Sequence, residues 1–195
     1  MKYKLLNAQR QFLEIPHNYS LDVAVYQGGY GSGKTFAGAL LGILLSLKFP
    51  GIRGLVGAQT YSLVRDTTLQ TYFEHLESMG FVSGHDYRWI SSEQKLVFYN
   101  GSEVLFRHFD EPDKLKSLNL GFVEIEEMSD VPYDTFKMLL ARMRQKISSK
   151  WTNFTYRIFG HTNPEIQKGW IYKTFFVNPP PNYRLICAPT TQNIY

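Results

Sequence analysis

An eight-residue motif near the N-terminus contains the first side chains that could do chemistry. It reads Gly28-Gly29-Tyr30-Gly31-Ser32-Gly33-Lys34-Thr35 and matches the phosphate-binding pattern G-x-x-x-x-G-K-[ST]. Glycines let the backbone curl so that successive N–H groups point at phosphate oxygens. Lys34 supplies a positive charge for the β- and γ-phosphates, and the Thr35 hydroxyl can bind Mg²⁺. The motif therefore predicts a site for a nucleoside triphosphate and Mg²⁺.

Two adjacent acids could complete such a site. The apolar stretch 120–125 leads into Glu126 and Glu127. Glu126 could hold Mg²⁺ directly or through water, and Glu127 could polarise the attacking water. Glu124 points to the opposite face from Ile125 in a regular strand, which makes it the weaker candidate. Taken alone, the acid pair also fits a solvated turn, but the phosphate-binding motif upstream favours the catalytic interpretation.

Three further polar side chains are candidates. Thr162 and Asn163 follow an apolar strand and could sense the γ-phosphate through hydrogen bonds, although Asn163-Pro164 is also a common turn signal. Gln9 lies upstream of the motif and can offer a donor and an acceptor to an adenine edge.

Alternating strands and helices must position these residues. Apolar strands are predicted at 21–27, 55–58, 120–125, 154–160 and 183–187, and helices at 34–48, 62–79 and 132–144, with a helical turn at 112–118. Strands that alternate with helices predict an α/β fold with a mostly parallel central sheet flanked by helices. An inserted β-hairpin, 95–99 with 103–107, is predicted around Asn100-Gly101, because this pair supplies the positive φ angles of a two-residue turn.

Composition narrows the class of protein. The 195 residues are 44% apolar and 19% charged, as in a globular domain. The sequence contains no run of 18 apolar residues, so it predicts no membrane-spanning helix. The single cysteine, Cys187, cannot form an internal disulfide, which indicates a reducing compartment. With 21 Lys and Arg against 17 Asp and Glu, the net charge of +4 suits a polyanionic partner without requiring one.

The order of these motifs resembles the N-terminal ATPase domain of the large terminase subunit of tailed bacteriophages. The resemblance covers about residues 5–190, and it includes Gln9-Arg10-Gln11-Phe12-Leu13 and the stretch Lys114-Leu115-Lys116-Ser117-Leu118 before the acidic strand. It implies a P-loop NTPase of the RecA-like (ASCE) type that couples ATP hydrolysis to movement of double-stranded DNA. The implied partners are the portal protein, the small terminase subunit and further copies of the chain in a ring. The implied location is the cytoplasm of the host bacterium, and the isolated chain is expected to be a monomer.

The resemblance also implies a role for each candidate residue. Lys34 and Thr35 would bind ATP and Mg²⁺, with Glu126 as the metal-site acid and Glu127 as the catalytic base. Thr162 and Asn163 would match the coupling motif.

Two positions depart from the family pattern. Tyr30 occupies a loop position where many terminases have arginine, and Glu126 stands where aspartate is common. The missing charge requires another cation at the transition state, and Arg142, Arg144 and Arg65 are candidates for a finger inserted into a neighbouring subunit. An isolated monomer is therefore expected to hydrolyse ATP slowly.

Several alternatives share the same loop. They are a helicase or recombination ATPase on single strands, a nucleotide-binding module without turnover, and a small-molecule kinase with Arg142-Met143-Arg144 as a lid. The domain prediction is one ATPase domain at 1–188 and the start of a truncated interdomain linker at 189–195. A C-terminal nuclease domain and its activity are expected to be absent.

Overall fold

A computed structural model describes residues 4–18, 20–164 and 169–189 of the chain. Within these ranges one sheet of eight strands forms the centre of the fold. The strands are β1 (Val23–Gly28), β2 (Arg53–Ala58), β3 (Tyr87–Ile90), β4 (Lys95–Phe98), β5 (Glu103–His108), β6 (Phe122–Glu126), β7 (Arg157–Thr162) and β8 (Tyr183–Ala188). Their spatial order is β3-β4-β5-β2-β6-β7-β1-β8, so β7 separates β1 from β6.

The strand directions bring the predicted site residues to one edge of the sheet. Strands β5, β2, β6, β7, β1 and β8 run parallel to one another, and β3 and β4 extend the sheet in antiparallel pairing. Parallel strands end at a common edge, where chains of this architecture bind ligands. Gly28, Glu126 and Thr162 are the last residues of β1, β6 and β7. The predicted mostly parallel sheet is therefore confirmed.

Helices cover both faces of this sheet. They are α1 (Asn7–Leu13), α2 (Lys34–Lys48), α3 (Tyr61–Leu63), α4 (Leu69–Ser78) and α5 (Tyr133–Leu140). Along β1, Ala24 and Tyr26 pack into the core with α1, α2 and α4, whereas Val23 and Val25 pack with α5 on the other face. Burial on both faces explains why β1 is apolar along most of its length. Among the described residues, no helix has the length and apolar character that crossing a membrane requires.

The hairpin is confirmed, but its turn differs from the prediction. Of the Asn100-Gly101 pair, only Gly101 has a positive φ, of 81°, and four residues separate β4 from β5. The prediction of a two-residue turn is therefore wrong. The turn instead contacts the end of α2, where the Asn100 amide and the Ser102 hydroxyl both donate to the carbonyl of Ser46, each at 2.7–2.8 Å. Strand β5 then pairs parallel to β2, so the hairpin is continuous with the sheet.

Three local features were not predicted from the sequence. The short strand β3 extends the sheet beyond the hairpin. The predicted helix 62–79 contains a π-helical turn, Val64–Thr68, between α3 and α4. The predicted helix 132–144 stops at Leu140, because the chain then runs beside the start of β6, where the Leu120 amide donates to the Arg142 carbonyl at 2.9 Å.

Candidate functional site

The phosphate-binding motif forms a curled loop between β1 and α2. Gly31 and Gly33 have φ values of 73° and 70°, in the left-handed region that favours glycine. The buried Tyr26 hydroxyl donates to the Ser32 carbonyl at 2.8 Å and supports the loop from the core side. Helix α2 begins at Lys34, so its N-terminal N–H groups and the positive end of its dipole face the space above the loop.

Gln9 packs against this loop. Its Oε1 accepts a hydrogen bond from the Leu6 amide at 2.8 Å, and its Nε2 donates to the Gly33 carbonyl at 3.2 Å. A Cβ atom at Gly33 would lie 2.2 Å from that nitrogen, so the contact also requires glycine. Both ends of the Gln9 amide are thus engaged by the protein backbone, and its contact with an adenine edge stays a prediction.

A cavity of about 680 Å³ opens above the loop, within the size range of ligand sites in proteins. Its lining comes from the loop and α2, from the helix after β2, and from the ends of β6 and β7: Tyr30, Gly31, Ser32, Gly33, Lys34, Thr35, Phe36, Leu63, Thr67, Glu126, Glu127, Ser129, Asp130, Asn163 and Pro164. The structure therefore brings most of the predicted site residues together. Thr162 and Gln9 lie next to this lining rather than in it.

Glu126 ends β6 with both carboxylate oxygens engaged. Oε1 accepts from the Thr35 hydroxyl at 3.4 Å, and Oε2 accepts from the Thr68 hydroxyl at 2.5 Å. Nδ1 of His161 lies 3.2 Å from Oε1. Burial alone would raise the pKa of Glu126, but the charge and hydrogen bonds of His161 outweigh it and leave the pKa below its usual value. An ionised carboxylate beside a threonine hydroxyl fits Mg²⁺, which prefers hard oxygen ligands.

Glu127 leaves the strand in a left-handed conformation. Its φ of 42° is uncommon for a residue other than glycine and costs about 1–3 kcal/mol. The carboxylate accepts two hydrogen bonds from Asn163, one from the backbone amide at 3.1 Å and one from Nδ2 at 3.0 Å. Strand alternation would have directed this residue to the opposite face from Glu126, and the left-handed turn brings it to the same cavity.

Asn163 connects this acid to Lys34 of the motif. Its Oδ1 accepts from the Lys34 ammonium at 3.0 Å, while its Nδ2 holds Glu127. Thr162 is placed differently, since it is fully buried and its hydroxyl donates to the Ser129 hydroxyl at 2.7 Å. Of the two predicted sensors, Asn163 faces the cavity and Thr162 faces the segment after β6.

A buried polar network lies behind Glu126 and was not predicted from the sequence. Glu124 and Glu126 share one face of β6, and His161 lies between them, with Nε2 3.4 Å from Glu124 Oε1. The Tyr72 hydroxyl donates to Glu124 Oε2 at 2.7 Å. Burial lowers the pKa of His161, but the negative charges of Glu126 and Glu124 outweigh it and raise that pKa to about 10. Glu124 is therefore a structural partner of this network and does not line the cavity.

Two glycines of α2 provide the space for this network. A Cβ atom at Gly38 would lie 2.5 Å from Glu124 Oε1, and one at Gly42 would lie 1.8 Å from the Tyr72 hydroxyl. Glycines four residues apart lie on the same face of a helix, so this spacing was the available sequence signal for a close polar contact.

The predicted arginine candidates lie outside this cavity. The Arg142 guanidinium donates to the Lys116 carbonyl, and the Arg142 backbone pairs with Leu120, just before β6 begins. At about 3.3 Å per strand residue, that position is roughly 20 Å from Glu126. Arg144 is close by, since its amide donates to the Arg142 carbonyl. Neither side chain can act in the cavity of its own chain.

Arg65 lies on the π-helical turn, where it pairs with Asp66 at 2.7 Å. A finger role for Arg65, Arg142 or Arg144 in a neighbouring subunit stays a prediction.

Comparison with known sequences identifies the family. A family model described as phage terminase large subunit matches residues 21–191. The PBSX phage terminase large subunit of Bacillus subtilis (strain 168) is 35% identical over 150 residues, which cover 76% of this chain and 33% of that protein. The chain therefore spans about one third of the length of this curated relative.

Solved structures share the fold. The large terminase of a thermophilic bacteriophage aligns with a TM-score of 0.80 at 13% identity, covering 98% of this chain and 47% of that one. The ATPase domain of the Thermus phage P74-26 large terminase aligns with a TM-score of 0.66 at 16% identity, covering 95% and 81%. These likenesses confirm the predicted P-loop fold, and the sequence matches confirm the resemblance. The chain belongs to the phage terminase large-subunit family.

Proposed function

We propose that this chain is the ATP-hydrolysing motor domain of a DNA-packaging terminase. The observation that carries the proposal is the convergence of Lys34, Asn163 and Glu127 in one hydrogen-bonded chain at the edge of a phosphate-binding cavity. A module that only binds nucleotide has no use for an acid held at that position. The large terminase of the thermophilic bacteriophage has been solved with ADP and with ATP-gamma-S, which supports the choice of nucleotide.

The residues of the cavity divide the work of hydrolysis. Backbone N–H groups of the loop and the N-terminus of α2 bind the phosphates of ATP, and Lys34 exchanges its bond to Asn163 for the β- and γ-phosphates. Thr35 and Glu126 would hold Mg²⁺, which would supply positive charge to neutralise the charge developing on the phosphates. Glu127 orients the attacking water and accepts its proton.

Asn163 couples the nucleotide to the rest of the domain. It follows β7, and it contacts the phosphate-binding lysine and the catalytic acid at once. Loss of the γ-phosphate changes the partners of both side chains, and this change is passed to the segment after β7. In the assembled motor, that movement drives double-stranded DNA, with the portal protein, the small terminase subunit and further copies of the chain as partners in the host cytoplasm.

The test compares ATP hydrolysis by the wild type and Glu127→Gln, each with and without duplex DNA. The variant keeps the size and shape of the side chain but cannot take up the proton, so kcat should fall about 10²–10⁴-fold while ATP binding persists. Asp134→Asn is the matched control, because Asp134 is an acid on α5 whose partner is Lys137. Hydrolysis by Glu127→Gln at the wild-type rate would show that Glu127 is not the base.

A further inference from the structure

The edge of the sheet opposite the nucleotide cavity collects positive charge. Residues 23–65 contain no Asp or Glu, and neither do residues 135–164. The fold brings parts of these two acid-free stretches together beside the starts of β2 and β6. Four exposed cations that make no ion pair with a described residue lie there and define a surface that we call the basic edge: Lys48, Arg144, Lys146 and Lys150.

Hydrogen bonds attach the segment that carries these cations to the loop after α2. The Gln145 side chain accepts from the Arg53 amide and donates to the Gly51 carbonyl, both at 2.8 Å. The Trp151 indole donates to the Pro50 carbonyl, also at 2.8 Å. These contacts bracket Lys146 and Lys150, so the segment is held in place although it contains no regular helix or strand.

Lys48 belongs to the same surface through the aromatic residues beneath it. Its ammonium lies 5.4 Å from the centre of the Phe49 ring, which in turn lies 5.9 Å from the Trp151 ring. Both rings are buried, and within the described segment 141–151 Ile147 is the large apolar side chain that stays exposed. The exposed surface is therefore made mainly of cations and small polar groups.

Within the part of the chain that the structure describes, the four cations of the basic edge are unpaired and lie together, whereas the other exposed cations either pair with acids or are scattered over separate parts of the chain, as are Lys4, Arg10, Arg88, Lys173 and Arg184. Ion pairs elsewhere join Arg53 to Glu103, Arg65 to Asp66, Lys95 to Glu93 and Glu103, Lys114 to Glu111, Lys116 to Asp113 and Lys137 to Asp134. None of the four basic-edge cations has an acidic partner among residues 4–18, 20–164 and 169–189. The nearest acid along β2 and β5 is Glu103, which is already engaged by Arg53 and Lys95.

We infer that the basic edge binds the phosphate backbone of duplex DNA, an inference that rests on the proposed motor function for the identity of the polyanion. Phosphate contacts in protein–DNA complexes come from Lys and Arg together with Ser, Thr and Asn side chains. Ser149, Thr152 and Asn153 are exposed in the same segment and supply such groups. Protein interfaces, by contrast, are enriched in aromatic side chains, and those of this region are buried.

The experiment measures binding of a short fluorescein-labelled duplex of random sequence by fluorescence anisotropy at a series of salt concentrations. The test protein carries Lys48→Gln, Lys146→Gln and Lys150→Gln. If all three cations contact phosphates, the slope of log K against log salt should fall by about 2–3, and affinity at ~0.1 M salt should drop roughly 10²-fold. Thermal unfolding checks that the variant remains folded.

A matched control removes the same charge elsewhere. Lys114→Gln, Lys116→Gln and Lys137→Gln replace three exposed lysines that already have acidic partners, and both triple variants lower the formal net charge from +4 to +1. The control should bind DNA like the wild type. Equal losses in the two variants would show that net charge alone is responsible, and unchanged binding by the test variant would show that DNA contacts another surface. Either result overturns the inference.

ATP hydrolysis without DNA, measured on the same proteins, separates this inference from the proposed function. The test variant should retain the wild-type basal rate, because its three substitutions lie at the opposite edge of the sheet from the cavity. A wild-type protein that binds DNA through the basic edge but does not hydrolyse ATP would refute the motor proposal alone. Loss of binding to polyglutamate with DNA binding unchanged would assign the surface to an acidic protein and overturn the inference.

Discussion

Replacing Tyr72 by phenylalanine removes one hydroxyl from the buried network behind Glu126. That hydroxyl donates to Glu124 Oε2 at 2.7 Å, and both side chains are fully buried. A hydrogen bond to a charged group contributes about 1.5–3 kcal/mol, and burial keeps solvent from replacing it. Burial also raises the pKa of Glu124, which limits the loss because the carboxyl can take up a proton. We therefore expect Tyr72→Phe to lower the free energy of unfolding by about 2 kcal/mol.

Urea denaturation at 25 °C measures this loss, and thermal unfolding should show a decrease in Tm of about 4–8 °C for a domain of this size. Tyr99→Phe is the matched control, since the Tyr99 side chain is 67% exposed and the change should stay within about 0.5 kcal/mol. A double-mutant cycle with Glu124→Gln isolates the pair and should give a coupling free energy of about 0.5–3 kcal/mol. A Tyr72→Phe protein as stable as the wild type, or a coupling of zero, would refute the assignment.

Replacing Gly42 gives a second test of the Tyr72 hydroxyl, in which removing that hydroxyl should raise stability instead of lowering it. A Cβ atom at this position would lie 1.8 Å from the Tyr72 hydroxyl and 2.9 Å from its Cζ. Gly42→Ala should therefore destabilise the protein through that hydroxyl. In the Gly42→Ala background, Tyr72→Phe should recover part of the loss, whereas in the wild type it costs stability.

Two further predictions concern the loop and the buried histidine. Gly33→Ala should lower the free energy of unfolding by about 1–2 kcal/mol and weaken ATP binding, because φ at this position is 70° and the new Cβ would displace Gln9. Calorimetric titration with an ATP analogue tests the loss of binding, and an unchanged affinity would contradict it. For His161, a pKa of about 10 against 6.5 in the unfolded chain means that its stabilising contribution is complete below pH 6.5 and is lost as pH rises towards 10. Urea denaturation in EDTA should therefore show stability falling more steeply between pH 7 and 10 in the wild type than in His161→Gln, and parallel profiles would contradict the ion cluster.

Much of the fold could be predicted because its signals are local. Helix α2 occupies Lys34–Lys48 as predicted, since its start follows the glycine-rich loop and its end precedes Pro50-Gly51. The loop, the acid pair and the parallel sheet were also predicted from short stretches of sequence. Element ends were less predictable. The helix after Pro132 stops at Leu140 because the following residues pair with the chain before β6, a contact that no local pattern encodes.

From the sequence we could predict a phosphate-binding loop and two acids after an apolar strand, and the order of the motifs indicated the family. These features depend on residue types at short spacing. The contacts between distant side chains depend on the folded sheet. In this sheet β7 lies between β1 and β6, so that Asn163 joins Lys34 to Glu127 and His161 lies between Glu124 and Glu126. Strand order and side-chain partners arise from pairing between residues far apart in sequence, so they emerge only when the whole sheet has formed.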